Sequence, residues 1–492
     1  MHLQGQWRAA RSGGTRDIID PFDGSVIRAV DEADPADVDD AIAAARTAFD
    51  EGPWPHTHPA ARGQLLARVA DLLAADRARL AELETRDTGK TLTESGIDVD
   101  DVAAVFRYYA DLADQRGAEV VATEAAPHTR SVVHREPVGV CAQISPWNYP
   151  LLQASWKLAP ALAAGNTMVV KPSELTPLST LRLVELLVEA GLPDGVVNLV
   201  LGAGPTVGQR LCESPAVDLV SFTGGIDTGR HVMATAAGTV KRVALELGGK
   251  NPNIVFADAP WEAAVDYALL AVFLHAGQVC SAGARLLVED SVHDAFVAQV
   301  AERARTIRLG SGLDPATESG PLISAAHRSK VAGHVEAAVA AGARLLVGGR
   351  APSDPRLANG FFYEPTVLVD VDARMAITRE EVFGPVLTVE RFHREAEAVA
   401  LANGTDYGLA GAVWSSDLER AERVAAALRL GTVWVNDYHP YVPEVAWGGF
   451  KRSGVGRELG PEGLAEYEEI KHVYVNPAPE PSGWFSTGGP QA

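Results

Sequence analysis

Cysteine is scarce in this chain: three occur in 492 residues, at positions 141, 212 and 280, with no Cys-x-x-Cys spacing and no Cys/His cluster. That argues against a disulfide framework and a thiolate metal site, and for a reducing compartment. An excess of positive charge is also missing. Lys and Arg number 43 against 64 Asp and Glu, a net charge of −21, so the surface repels phosphate backbones and anionic lipid. Neither a nucleic acid nor a membrane is expected as a partner, whereas a small cation is mildly favoured. No apolar run reaches the length that spans a bilayer, and Met1-His2-Leu3-Gln4-Gly5 lacks the basic and apolar segments of a secretion signal. Repeats and low-complexity tracts are absent. A soluble, cytoplasmic protein is expected, and 492 residues exceed what one hydrophobic core organises, so two or three domains are expected.

Lysine is scarce as well, 8 against 35 arginines. Yet Lys90, Lys157, Lys171, Lys250 and Lys451 all fall in stretches marked by Gly, Pro or Trp. A compact ammonium does not interchange with a guanidinium fork, so lysines kept against such a bias become candidates for particular sites.

What is present begins with turn-punctuated short strands over residues 1–34. Asp34-Pro35 opens a helix over 36–49, and three-to-four apolar spacing predicts helices over 60–86 and 94–117. From residue 138 the pattern becomes strand–turn–helix alternation, with strands at 138–144, 167–171, 196–201, 219–223 and 240–247. Short apolar strands alternating with helices predict a parallel sheet covered on both faces, with ligands at the carboxyl ends of its strands. A second α/β series begins at residue 251, with strands at 285–288, 344–347, 366–369, 409–414 and 432–436.

Several stretches carry chemistry. Cys280 lies between Gly277 and Gly283 after an apolar helical run, and a thiolate presented on a glycine-flanked turn is a candidate nucleophile. A buried inert cysteine is the plain alternative. Two glycine turns join a strand to a helix, at 202–208 and 222–229, and such turns before helix N-termini hold phosphates. Glu246, followed by Gly248-Gly249, could act as a general base at the mouth of a parallel sheet. Asn148, in a Pro-flanked turn, could donate to an oxyanion.

Together these stretches resemble the aldehyde dehydrogenase superfamily over nearly the whole chain. The matching motifs are Pro146-Trp147-Asn148-Tyr149-Pro150, Lys171-Pro172-Ser173-Glu174, Phe222-Thr223-Gly224-Gly225, Glu246-Leu247-Gly248-Gly249-Lys250, Gly277-Gln278-Val279-Cys280, Glu381-Val382-Phe383-Gly384 and Trp447-Gly448-Gly449-Phe450-Lys451. The resemblance implies an α/β fold with a parallel-sheet NAD-binding domain from residues 1–118 and 139–247. It also implies an α/β catalytic domain over 248–455, and a small β ribbon and tail, 119–138 and 456–492, that join subunits of a homo-oligomer, dimer or tetramer. The implied catalytic set is Cys280 as nucleophile, Glu246 as base, Asn148 as oxyanion donor, and Lys171. The implied cofactor is NAD, held by Ser145, Trp147, Lys171, Ser173, Glu174, Gly204, Phe222, Thr223, Gly224, Gly225, Thr228, Leu247, Gly248, Glu381 and Phe383. A carboxylate at Glu174 suits a ribose 2′-hydroxyl and opposes a 2′-phosphate, favouring NAD over NADP. No metal is implied. Gly225 stands where the family usually has Ser, which removes one hydroxyl contact.

Four positions that line the aldehyde pocket in this family are aromatic: Tyr149, Trp156, Tyr441 and Trp447. Electron-rich faces around one pocket suggest a cage for a quaternary ammonium, which cannot donate hydrogen bonds. The sequences around Trp156, Cys280 and Tyr441 resemble bacterial members of the family that oxidise betaine aldehyde to glycine betaine, an osmolyte. Pro443-Glu444-Val445-Ala446 departs from that pattern, and Glu444 would also suit an ω-aminoaldehyde such as 4-aminobutyraldehyde. A thiol esterase using Cys280 with His275 is a third reading, in which the nucleotide motifs would be idle.

Overall fold

The computed structural model describes residues 1–115, 117–122, 128–482 and 484–485. Parts of the expected ribbon (123–127) and tail (483 and 486–492) therefore lie outside the described residues.

Five parallel strands form the heart of the first sheet. Their order is Arg242–Leu247, Leu219–Gly224, Val140–Ile144, Thr167–Lys171 and Val197–Leu199. They are short and almost wholly buried, as expected where helices cover both faces. The N-terminal strands His2–Leu3 and Gln6–Trp7 extend one edge antiparallel, and Gly454–Val455 closes the other against Arg242–Leu247. In chain order the sheet grows outward from Val140–Ile144 in one direction, then restarts on its other side at Leu219–Gly224. The crevice between those two strands is the switch point at which such sheets take ligands.

Helix Pro150–Ala164 packs on this sheet with every residue buried; it starts with Pro at its first position and stops at Gly165, φ 98°. Helix Pro35–Asp50 begins with a capping box between Asp34 and Asp37. The single helix expected over 60–86 is two, Pro59–Ala75 and Arg77–Thr88, broken at Asp76 with no Gly or Pro to signal it.

The second sheet runs Arg344–Val347, Thr366–Val369, Val386–Phe392, Arg285–Glu289, Pro252–Val255, Ala410–Trp414 and Thr432–Val435, parallel except for its first strand. Val386–Phe392 was not expected from the sequence. It carries Glu390, which is buried only because Arg285 on the neighbouring strand grips both its oxygens at 2.8 and 3.0 Å. A third sheet joins Glu119–Val121, Arg130–Pro137 and Glu468–Val475, and leaves Val120, Ile470 and Tyr474 exposed. Among the described residues no helix is long and apolar enough to cross a membrane.

Candidate active site

The carboxyl ends of the first sheet open on a cavity of about 980 Å3. Register fixes who meets there: Glu246 lies beside Thr223, and Ile144 aligns with both Phe222 and Lys171. Lining it are Ser145, Trp147, Asn148, Tyr149, Lys171, Ser173, Glu174, Gly204, Phe222, Thr223, Gly224, Gly225, Thr228, Glu246, Leu247, Gly248, Cys280, Glu381, Phe383 and Trp447. Of the residues assigned from the sequence to catalysis, coenzyme or aldehyde, Trp156 and Tyr441 are the two not on this wall.

Cys280 reaches the cavity on a strained loop. His275, Ala276 and Gly277 are all left-handed, φ 46°, 51° and 73°, a conformation that costs about 1–2 kcal/mol for each residue with a side chain. Surrounding groups hold it there. Glu94 Oε1 accepts the His275 backbone N–H at 2.7 Å, the Gln278 amide bonds His275 O at 3.1 Å and the Ile323 N–H at 2.8 Å, and Asn148 Nδ2 donates to Gln278 O at 2.8 Å. Gly277 is required, since a Cβ there would lie 2.1 Å from Gly384 O. Beyond the thiol, Asn251 donates to the carbonyls of Cys280 and Ala282, and Ser281 Oγ meets the Tyr441 hydroxyl at 2.6 Å.

Burial pushes the Cys280 thiol pKa up, and the facing carboxylates of Glu381 and Glu246 add to it. The resting sulfur is therefore protonated, and its proton needs an acceptor. Glu246 is buried with neither carboxylate oxygen hydrogen-bonded to protein. Its proton affinity is raised well above the ordinary carboxylate range by burial and then by Glu458, while the Lys157 ammonium draws it back. Lys157 Nζ donates to Ser221 Oγ (3.1 Å) and Thr223 Oγ1 (2.8 Å) and pairs with Glu458. A thiol, a proton acceptor and an amide donor thus share one cavity.

The glycine turns border the same cavity. The stretch Gly204–Gly208 is a π-helical turn, and Gly225 is the N-cap of helix Ile226–Ala236 with no side-chain cap. A Cβ at Gly204 or Gly225 would meet nothing within 4 Å, so a phosphate can approach the free helix N–H groups. Lys171 Nζ donates to Pro172 O (3.0 Å) and to Glu174 (3.3 Å). Glu381 accepts the Gly249 N–H at 3.1 Å, and burial raises its carboxyl to about 7. Trp147 packs edge-on against Phe383 and His327. His327 and Lys330, both on helix Ala325–Ala340 and both lining the cavity, were missed from the sequence because no motif surrounds them.

Of the four pocket aromatics, Tyr149 and Trp447 face the cavity. Trp156 and Tyr441 pack on Trp447, with ring centroids 6.2 and 5.0 Å away. The Lys90 ammonium lies 3.9 Å from the Tyr149 centroid, so one face of that ring is already taken. Its charge is balanced by Asp98 and by Glu84 at 3.7 Å. Burial is the main cause that raises the pKa of the Tyr441 hydroxyl, and Asp98 and Asp101 are close enough to add to it.

The model of the aldehyde dehydrogenase family matches residues 7–473. This chain belongs to the aldehyde dehydrogenase family. It is 58% identical over 487 residues to betaine aldehyde dehydrogenase of Bacillus subtilis strain 168, covering 99% of both chains. Aminoaldehyde dehydrogenase 2, peroxisomal, of Pisum sativum is 43% identical over 490 residues, 99% of this chain and 97% of that one. A crystal structure of betaine aldehyde dehydrogenase from Staphylococcus aureus in complex with NAD+ superposes with a TM-score of 0.97 at 52% identity, covering 99% of this chain and 96% of the other. The α/β architecture expected from the sequence is that of this aldehyde dehydrogenase.

Proposed function

We propose that this protein oxidises a cationic aldehyde, betaine aldehyde foremost, to its carboxylate with NAD as acceptor. The observation that carries the reading is the convergence of Cys280, Glu246 and Asn148 with two open glycine turns on one cavity. The names of the Bacillus relative and of the NAD+-bound Staphylococcus structure support the choice of substrate and coenzyme.

The residues present fit a dinucleotide. Gly225 and the uncapped helix behind it would take the pyrophosphate with Thr228, and Gly204 leaves room beside it. Lys171, Ser173 and Glu174 would take the adenosine ribose, the Glu174 carboxylate favouring a 2′-hydroxyl. Glu381 would hold the second ribose, with Phe383 and Trp147 alongside. Bound there, NAD supplies the hydride acceptor.

The chain's own groups do the rest. The Cys280 sulfur attacks the carbonyl carbon, and its proton passes to Glu246, whose raised proton affinity suits it to that task. One Asn148 amide N–H is given to Gln278 O; the other, with the Cys280 backbone N–H, stabilises the thiohemiacetal oxyanion, each donor worth roughly 10²–10³ in rate. Loss of hydride from that carbon leaves a thioester on Cys280. Relieved of that first proton, Glu246 takes one from the water that attacks the thioester and returns it to the departing sulfur, releasing the thiol and the acid, which ionises to the carboxylate. Lys157 and Glu458, behind Glu246, offer the proton a way out.

The aromatic wall of Tyr149 and Trp447, backed by Trp156 and Tyr441 and biased by Asp101, favours a cation over a neutral aldehyde. A primary-ammonium aldehyde is the second reading, supported by exposed Glu444 near Trp447 and by the name of the Pisum relative. We further infer a cytoplasmic homo-oligomer, dimer or tetramer, joined through the exposed three-stranded ribbon, with domains bounded as the sequence suggested. Betaine aldehyde with NAD should yield reduced coenzyme, and Cys280→Ser should lower turnover by about 10³-fold or more. Retention of activity in that variant refutes the thiol mechanism.

A further inference from the structure

Between Glu380 and Pro385 the chain crosses from the coenzyme side of the cavity to the nucleophile loop. Both ends of this crossing are fixed. Glu381 is tied to the Gly249 N–H, and Gly384 is pressed on Gly277 so closely that no Cβ fits between them. Phe383, in the middle, is left-handed at φ 60°, a conformation that an aromatic residue adopts only when its surroundings impose it.

One polar group imposes it from outside the loop. His327 Nε2 lies 2.6 Å from Phe383 O. A carbonyl only accepts, so Nε2 carries the hydrogen and donates it. The imidazole also packs edge-on against Trp147, centroids 5.4 Å apart at 67°, and against Phe383, 6.1 Å at 69°. Trp147 and Phe383 in turn meet at 5.2 Å and 86°. Burial draws the His327 pKa down to about 4, with Lys330 and His334 adding to the effect, so the ring is neutral at working pH. Protonation would leave the Nε2 donor in place, so no pH switch follows.

We propose that His327 is a positioning residue for the nicotinamide end of the coenzyme: its Nε2–H clamps Phe383 in the left-handed conformation and so fixes the Phe383 and Trp147 rings that border that end. This rests on the reading of the cavity as an NAD site. Without the donor, Phe383 relaxes towards an ordinary conformation and its ring leaves the wall, while the fixed ends keep Glu381 and Cys280 in place.

Three proteins test this: wild type, His327→Phe, which keeps a ring without a donor, and His327→Gln, whose amide nitrogen reaches about as far as Nε2. Should His327→Phe not fold, His327→Met replaces it. NADH dissociation constants come from fluorescence titration, KM for NAD and kcat from steady state, and Cys280 reactivity from iodoacetamide alkylation without coenzyme. The clamp predicts that His327→Phe weakens NADH and raises KM for NAD by about five- to tenfold, the worth of one good hydrogen bond. Alkylation should stay within about twofold, and His327→Gln should restore most of the coenzyme affinity. Unchanged NADH affinity in His327→Phe overturns the clamp, as does a His327→Gln protein no better than His327→Phe, or an alkylation rate that falls in step with affinity. Wild type that binds no NADH overturns the coenzyme reading, and the clamp with it.

Discussion

Replacing Glu381 by Gln should stabilise the protein and weaken coenzyme binding at once, and the first effect should depend on pH. The carboxyl ionises near 4.5 in an unfolded chain but near 7 in the folded one, because burial outweighs the Gly249 N–H and the Lys330 and Lys250 charges that favour ionisation. Between those two values the native state holds a proton that the unfolded state has lost, so stability falls as pH rises through the window and the full cost is reached above about 7. At full burial the difference corresponds to about 3 kcal/mol. The carboxylate opens on the cavity, where water screens it, so about 1–3 kcal/mol is expected. Gln keeps the shape and the acceptor for Gly249 without the charge. Urea unfolding of the coenzyme-free protein, followed by tryptophan fluorescence across this range, should give equal stabilities for wild type and Glu381→Gln near pH 4.5. The variant should be more stable by about 1–3 kcal/mol near pH 8, while its NADH affinity falls about tenfold from loss of a charged acceptor. A stability difference that does not change with pH refutes the reasoning.

Lys157→Met removes the ammonium that favours the ionised form of Glu246. The acid limb of the kcat profile, on which activity rises as Glu246 deprotonates, should move to higher pH; an unmoved limb contradicts the pairing. Asp101 is half-buried near Asp98 and Asp100; partial burial first, and then those two carboxylates, raise its carboxyl to about 6. Asp101→Asn should lower kcat/KM for a cationic aldehyde but not for a neutral one, and only above that pH, where the wild-type group is charged. Gly277→Ala places a Cβ 2.1 Å from Gly384 O at φ 73°. A loss of about 2–4 kcal/mol in stability, or of Cys280 alkylation, is expected; a variant as stable and reactive as wild type shows that the loop yields.

How much of this was legible in the sequence depended on how local its cause was. The capping of Pro35–Asp50 by Asp34, the glycine turns and the nucleophile loop all advertise themselves within a few residues. The lysines kept against an arginine bias were also informative: Lys90, Lys157 and Lys250 are fully buried and Lys171 nearly so. What escaped was set by distant partners. Glu390 makes Val386–Phe392 look half-polar until Arg285 is found opposite it. The break at Asp76 has no helix breaker beside it, and its carboxylate is held at 2.6 Å by Arg182, 106 residues away. His327 sits on a helix without a motif, and its role depends on a carbonyl 56 residues away. The four-ring cage was over-counted for the same reason, since nothing near Tyr149 reveals that Lys90 occupies one of its faces.

The most direct test of the account compares kcat/KM with NAD for betaine aldehyde and for 3,3-dimethylbutanal, the same shape without the charge. Ring faces worth roughly 0.5–2 kcal/mol each to a desolvated cation, with one face of Tyr149 already used, predict a preference of about ten- to a hundredfold for betaine aldehyde. Equal efficiencies, or a preference for the neutral aldehyde, would contradict a site built around Cys280 to hold a permanent cation.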